Sequence, residues 1–179
     1  MQTLKVLSLF FFLFGSSIAR EERPNVLWIY LEDVSGWFSC YGETLIETPN
    51  IDQLAKEGIR FDRFYTPAGV CSATRSAIVT GMMQTSIGAH NHRSCRANFR
   101  GKSMGEYDRN VLDILTIPEI FRKHGYWTAN HSKDDYNFDW EPGKLYDYGK
   151  PSKLNPDAFT SGKMLEGRGE KPFFVQIQL

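Results

Sequence analysis

The sequence has no excess of charge of either sign, with 21 lysines and arginines against 21 aspartates and glutamates in 179 residues. A surface that grips a phosphate backbone through many contacts needs a basic surplus, so nucleic acid is not an expected partner. Beyond the first 19 residues there is no apolar run near the roughly 18 to 20 residues needed to span a bilayer. Internal repeats and low-complexity tracts are also missing, which excludes solenoid, collagen-like and extended disordered architectures. What is present, 41% hydrophobic and 23% charged residues, is the profile of a globular domain. Aromatic residues make up 14%, and core packing is the default account of them over a carbohydrate-facing surface.

The N-terminus stands apart from this profile. Lys5 precedes the apolar run 6–14, and Gly15, Ser16, Ser17, Ile18 and Ala19 follow it, with Ser17 and Ala19 placed for cleavage. This is the pattern of a secretory signal peptide over residues 1–19, leaving 20–179 as a near-neutral mature product, secreted or periplasmic, with no membrane attachment. Cysteine is scarce: Cys40, Cys71 and Cys95 are the whole complement. An odd number in an exported chain leaves at least one thiol outside any intramolecular disulfide. The surroundings of Cys71 single it out, and Cys40 with Cys95 is the candidate pair.

Residues 25–31 (N-V-L-W-I-Y-L) form a β-favouring run of the kind buried on both faces of a parallel sheet, ending at Glu32 and Asp33. Thr48 as N-cap and Pro49 at the first helical position open a helix whose apolar stripe is Ile51, Leu54 and Ala55, stopped by Gly58. A second strand is expected over 59–65. A loop over 66–70 leads into a helix over 72–80 that closes at Gly81, which puts Cys71 where loop becomes helix. Residues 82–110 read as a long polar surface excursion. A helix over 116–124, a strand over 126–130 and a final strand over 173–179 follow, while 134–170 lacks clear periodicity. Alternating strands and helices predict an α/β fold with a largely parallel sheet flanked by helices. A parallel strand is normally followed by a covering helix, so the chain is read as an incomplete portion of a longer protein.

The sharpest local feature is Cys71-Ser72-Ala73-Thr74-Arg75 leading to Gly81. On a helix, Cys71 and Arg75 are four apart and share a face at the end with open backbone N–H groups. An oxyanion such as sulfate would meet the positive end of the helix dipole together with a guanidinium able to bind two oxygens. At the carboxyl end of the first strand, where open α/β sheets place their ligands, Glu32 and Asp33 are hard oxygen donors suited to Ca²⁺ or Mg²⁺. Both can reach one ion only if the chain turns there, which Ser35-Gly36 makes feasible.

Four ordered blocks, Pro24-Asn25-Val26-Leu27, Glu32-Asp33, Thr48 to Asp52 with Leu54-Ala55 and Gly58, and Cys71 to Gly81, resemble the sulfatase family within the alkaline-phosphatase-like fold. Lys133 and Lys171-Pro172-Phe173-Phe174 extend the similarity, which is nearest the arylsulfatase and heparan N-sulfatase branch. The resemblance implies that a maturation enzyme oxidises Cys71 to formylglycine, whose aldehyde hydrates to a geminal diol. One hydroxyl attacks sulfur to form a sulfate ester, and deprotonation of the second expels sulfate and restores the aldehyde. A thiolate would lack that second hydroxyl and stall after one turnover. The resemblance also implies a divalent cation, Ca²⁺ or Mg²⁺, held by Glu32, Asp33 and residue 71, with Arg75 and Lys133 in the catalytic set and Lys133 contacting the sulfate. His90, His92 and Arg93 are candidates for the substrate entrance, His92 foremost.

Three features depart from the family pattern. Ala73 stands where proline is usual two residues after the cysteine. Asp135 stands where a histidine is common two residues after the lysine, and a carboxylate cannot copy a cationic imidazole. The family's further acidic or amide metal ligands, a histidine and a second lysine are expected downstream of residue 179. The expected function is therefore hydrolysis of sulfate esters on a sulfated glycan or aryl substrate, by the N-terminal part of an exported (in a eukaryote, lysosomal) sulfatase that is inactive alone. Two alternatives are a phosphoester hydrolase of the same superfold, against which Cys71 argues, and a non-catalytic protein that binds sulfated glycans through unmodified Cys71.

Overall fold

The computed structural model describes residues 23–92, 98–99, 102–103, 114–138, 142–149 and 161–179. The predicted signal peptide over 1–19, Arg93 and Cys95 lie outside the described residues. Strand β1 is Val26–Tyr30, helix α1 Pro49–Glu57 and helix α2 Cys71–Thr80. Two residues each, Asn98–Phe99 (β2) and Lys102–Ser103 (β3), pair as a small antiparallel ladder. Helix α3 (Ile117–Lys123), strand β4 (Trp127–His131), the short helix α4 (Pro142–Leu145), strand β5 (Tyr148–Gly149) and strand β6 (Phe173–Gln178) complete the set. Among the described residues no helix is long and apolar enough to cross a membrane.

The main sheet runs β1-β6-β4-β5 and every pairing in it is parallel. Placing β6 between β1 and β4 sets Tyr30 opposite Gln178 and His131 opposite Ile177, so the carboxyl ends of three strands come together. The segments that follow β1 and β4 therefore start side by side. On one face of the sheet Val79 of α2 packs with Tyr136, Phe138, Leu145 and Tyr146. On the other, Ala129, Val175 and Ile177 pack with Met164. Phe174 stacks on Phe121 of α3 at 4.4 Å between ring centroids, tying that helix to the central strand.

The helix starts and stops follow their sequence signals. Thr116 donates from both its backbone N–H and its hydroxyl to Glu119 Oε2, each at 2.8 Å, so Glu119 reaches back to fasten the first turn of α3. Gly81 ends α2 in the left-handed region, φ 66°, with its N–H on the Ile78 carbonyl. A Cβ at Gly81 would meet nothing within 4 Å, so backbone strain is the only cost of filling the position. Gly81→Ala is expected to lower stability by about 1 kcal/mol, read from the urea midpoint at unchanged m-value.

Three expectations are corrected. Residues 59–65 form no strand: Ile59 is 82% and Phe64 78% exposed, and Tyr41 Oη donates to the Phe61 carbonyl at 3.0 Å, so a side chain holds the segment where a ladder was expected. β1 is not buried on both faces, because no described element covers Leu27 and Ile29, which are about half exposed. The stretch after α2 is not all surface, since Gln84, Ile87 and Ala89 are buried and Gln84 Nε2 donates to the Pro67 carbonyl at 2.8 Å. Cys40 is a free thiol among the described residues, and its candidate partner Cys95 lies outside them.

Candidate active site

Residue 71 is the first residue of α2. Its N-cap, Val70, offers no side-chain cap, and Thr74 spends its hydroxyl on the Ala68 carbonyl at 2.7 Å. The positive end of α2 therefore faces the site with no side-chain cap. Ser72, Ala73 and Ser76 are fully buried behind Cys71, which is why this helix is built from small residues. They let α2 approach the 133–138 segment closely, and the Asn137 N–H donates to Ser76 Oγ at 2.8 Å.

The 133–138 segment follows β4 and delivers two charged groups. Cys71 Sγ donates to Asp135 Oδ2 at 3.2 Å and lies 3.9 Å from His92 Nε2. Lys133 Nζ stands 3.5 Å from Asp135 Oδ2 and donates to Glu32 Oε1 at 2.5 Å. Glu32 Oε2 in turn accepts from Gln178 Nε2 at 2.8 Å. Partial burial raises the Cys71 thiol above its ordinary value, the hydrogen bond and charge of Asp135 add to this, and Lys133 opposes it. At neutral pH residue 71 is thus a protonated thiol, a poor nucleophile as it stands.

Arg75 lines the same cavity of about 740 Å³ as Cys71, Glu32 and Asp33. It is 8% exposed and heavily engaged. Nη1 donates to Tyr30 Oη at 3.0 Å and to the Lys133 carbonyl at 3.1 Å, Nη2 lies 3.7 Å from Glu32 Oε1, and the guanidinium sits 4.9 Å from the Tyr30 ring centre. The fork expected to grip an anion is in this structure the brace that ties α2 to the ends of β1 and β4.

Three non-glycine residues at these strand ends adopt positive φ: Asp33 at 56°, Ser132 at 81° and Asp135 at 48°. Such backbone strain concentrates at functional sites. The Asp33 conformation supplies the turn that adjacent carboxylates need in order to face one ion. By donor type Glu32 and Asp33 fit a hard divalent cation, and the buried Gln178 Oε1 beside them accepts no hydrogen bond. They would be two of the six to eight oxygens Ca²⁺ takes. Among the described residues no three His, Cys, Asp or Glu side chains form a cluster able to hold a metal, although Glu32, Asp33 and Cys71 line one cavity. Of the other expected residues, Lys133 and the exposed His92 are at the site, and His90 is exposed as well. Tyr30, Gln178 and Asn137 join the site without a motif to mark them, although the alternation Q-I-Q inside a buried strand is a signal for Gln178.

Glu32 carries a consequence for pH. Burial raises its carboxyl, but the Lys133 hydrogen bond and charge, Arg75 and Gln178 outweigh that and hold it below its ordinary 4.5. A carboxyl lowered on folding stabilises the fold above its unfolded value, and that contribution is lost as pH falls through the lower folded value. Below about pH 4.5 the wild-type thermal midpoint should therefore fall more steeply than that of Glu32→Gln. Parallel acid limbs would remove Glu32 from the account.

A family model described as Sulfatase matches residues 24–175. An ulvan-active sulfatase of Formosa agariphila is 36% identical over 118 residues, covering 65% of this chain and 20% of that relative. An N-acetylglucosamine-6-O-sulfatase of Bacteroides thetaiotaomicron is 31% identical over 162 residues, covering 83% of this chain and 25% of that relative. A solved structure described as a complex with its substrate D-glucosamine-2-N,6-O-disulfate superposes with TM-score 0.67 at 25% identity, over 88% of this chain and 34% of that one. The chain thus spans about a fifth to a quarter of the length of these curated relatives.

Proposed function

The chain belongs to the sulfatase family, and from that premise we propose that the full protein is a sulfuric ester hydrolase acting on a sulfated glycan through formylglycine made from Cys71. What carries this reading is the convergence on Cys71 of an uncapped helix N-terminus, Asp135 at 3.2 Å, His92 at 3.9 Å and the Lys133 ammonium beside Asp135. A thiol kept protonated by burial and a neighbouring carboxylate has little use as a nucleophile, which favours its conversion. The glycan class is supported by the relatives named for ulvan and N-acetylglucosamine-6-O-sulfate and by the neighbour bound to a glucosamine disulfate. An aryl sulfate is the competing substrate, supported by the similarity to human arylsulfatase A.

In this scheme the residues divide the work. Lys133 places a compact cation beside residue 71, where the sulfuryl oxygens would lie. Arg75 fixes Glu32, the Lys133 carbonyl and Tyr30 relative to α2. His92 stands on the exposed side of residue 71 and meets the substrate. Asp135 is within reach of a proton on residue 71. Glu32 and Asp33 would hold Ca²⁺, or Mg²⁺, which when bound screens the repulsion between the electron-rich sulfate and the attacking oxygen. The segment 1–19 directs export, and a maturation enzyme that tolerates Ala73 converts Cys71.

Mass spectrometry of the peptide carrying residue 71, from full-length protein matured in its native host, tests the proposal. Conversion of thiol to aldehyde lowers the peptide mass by about 18 Da. An unshifted peptide would overturn the enzyme reading in favour of a protein that binds sulfated glycans without cleaving them.

A further inference from the structure

Asn137 takes no part in the chemistry assigned to residue 71, yet it is bonded to both segments that frame it. It is buried, with 3% exposure. On one side its backbone N–H donates to Ser76 Oγ at 2.8 Å, and that hydroxyl donates to the Ser72 carbonyl at 2.7 Å, next to Cys71. On the other side its side-chain Nδ2 donates to the Ala89 carbonyl at 3.1 Å and to the Asn91 carbonyl. His92 is the next residue, with Nε2 3.9 Å from Cys71 Sγ.

An amide nitrogen has two protons, and here each goes to a different carbonyl of one short loop, which fixes the loop's curvature as well as its distance. Residues 89–92 lie in neither helix nor strand, and the Ala89 N–H is bonded to the Gln84 carbonyl. The backbone link to Ser76 does not depend on the side chain at 137, whereas the links to 89 and 91 depend on it entirely. The two sides can therefore be separated by substitution.

We infer that Asn137 is a positioning residue that sets His92 against residue 71 and so governs how tightly the sulfated substrate is held; the last clause rests on the proposed sulfatase function. Asn137→Asp has nearly the same volume but no side-chain donor for either carbonyl, and Asn137→Ala removes the group outright.

Two readouts test this. In protein carrying unconverted Cys71, the His92 imidazole resonances should shift when Cys71 is replaced by alanine. In the Asn137→Asp background that shift should vanish while cooperative unfolding is kept. In the matured full-length enzyme, Asn137→Asp should raise KM for a sulfated glucosamine about tenfold and hold kcat within about twofold. In a His92→Ala background the same substitution should do almost nothing, because coupled residues are not additive. A His92 shift that persists in both Asn137 variants, or a KM effect fully additive with His92→Ala, overturns the inference. Should Asn137→Ala fail to fold, Asn137→Asp decides alone. A wild-type protein without sulfatase turnover overturns the functional clause, while the resonance comparison still decides the positioning of His92.

Discussion

Replacing Cys71 by alanine in the matured full-length protein is expected to lower kcat/KM for sulfated substrates by at least about 10⁴-fold, because in the proposed mechanism it removes the group that bonds to sulfur. Helix α2 should survive the change, since the buried packing of Ser72, Ala73 and Ser76 lies behind residue 71. Thermal unfolding should therefore move little. Cys71→Ser sharpens the result. A single hydroxyl can take the sulfuryl group but has no second hydroxyl from which to expel it, so one equivalent should react and stop. The signature is a protein about 80 Da heavier after incubation with substrate, the mass of one added sulfuryl group. Turnover by the alanine variant equal to wild type would sink the mechanism.

Arg75→Ala is expected to cost about 3 kcal/mol of stability, because it strips hydrogen bonds from Tyr30 Oη and the Lys133 carbonyl and leaves Glu32 with one cation fewer at a part-buried site. The measurement is urea unfolding at fixed m-value. The size of the effect chooses between two roles for this arginine. A loss under about 1 kcal/mol would match an arginine with little structural duty, open to bind anions. A loss near 3 kcal/mol would mark the brace, and the fall in activity would then follow from displaced Lys133 and Glu32. Arg75→Lys should recover little of either, since one ammonium cannot replace a planar fork bonded in two directions.

Features set by local chemistry were readable in advance. The start of α2 at Cys71, its end at Gly81, Pro49 opening α1 and the apolar run of β6 all depend on residues within a turn or two of the feature. Features set by distant neighbours were not. Residues 59–65 have strand composition, but no ladder forms there, and the Tyr41 hydroxyl holds the Phe61 carbonyl in its place. Residues 134–138 look like polar loop, yet Tyr136 and Phe138 stack at 5.2 Å between centroids, and the Tyr136 hydroxyl meets that of Tyr146 at 2.5 Å. Polar side chains satisfied by one another leave no hydrophobic period to detect. The candidate site was similarly half readable. Cys71, Glu32, Asp33 and Lys133 carry their chemistry in their type and order. That Lys133 rests on Glu32, and that Arg75 is spent on Tyr30, follows only from the parallel order of β1, β6 and β4.

The left-handed conformations of Asp33, Ser132 and Asp135 bear on any attempt to breed a hardier form. Glycine at each would relieve about 1 kcal/mol of strain. A library screened only for heat tolerance would collect glycines at these three positions first. The survivors would outlast the parent on the bench and, under the proposed function, be idle towards substrate, because the carboxylates at 33 and 135 would be gone and the strand end at 132 slack.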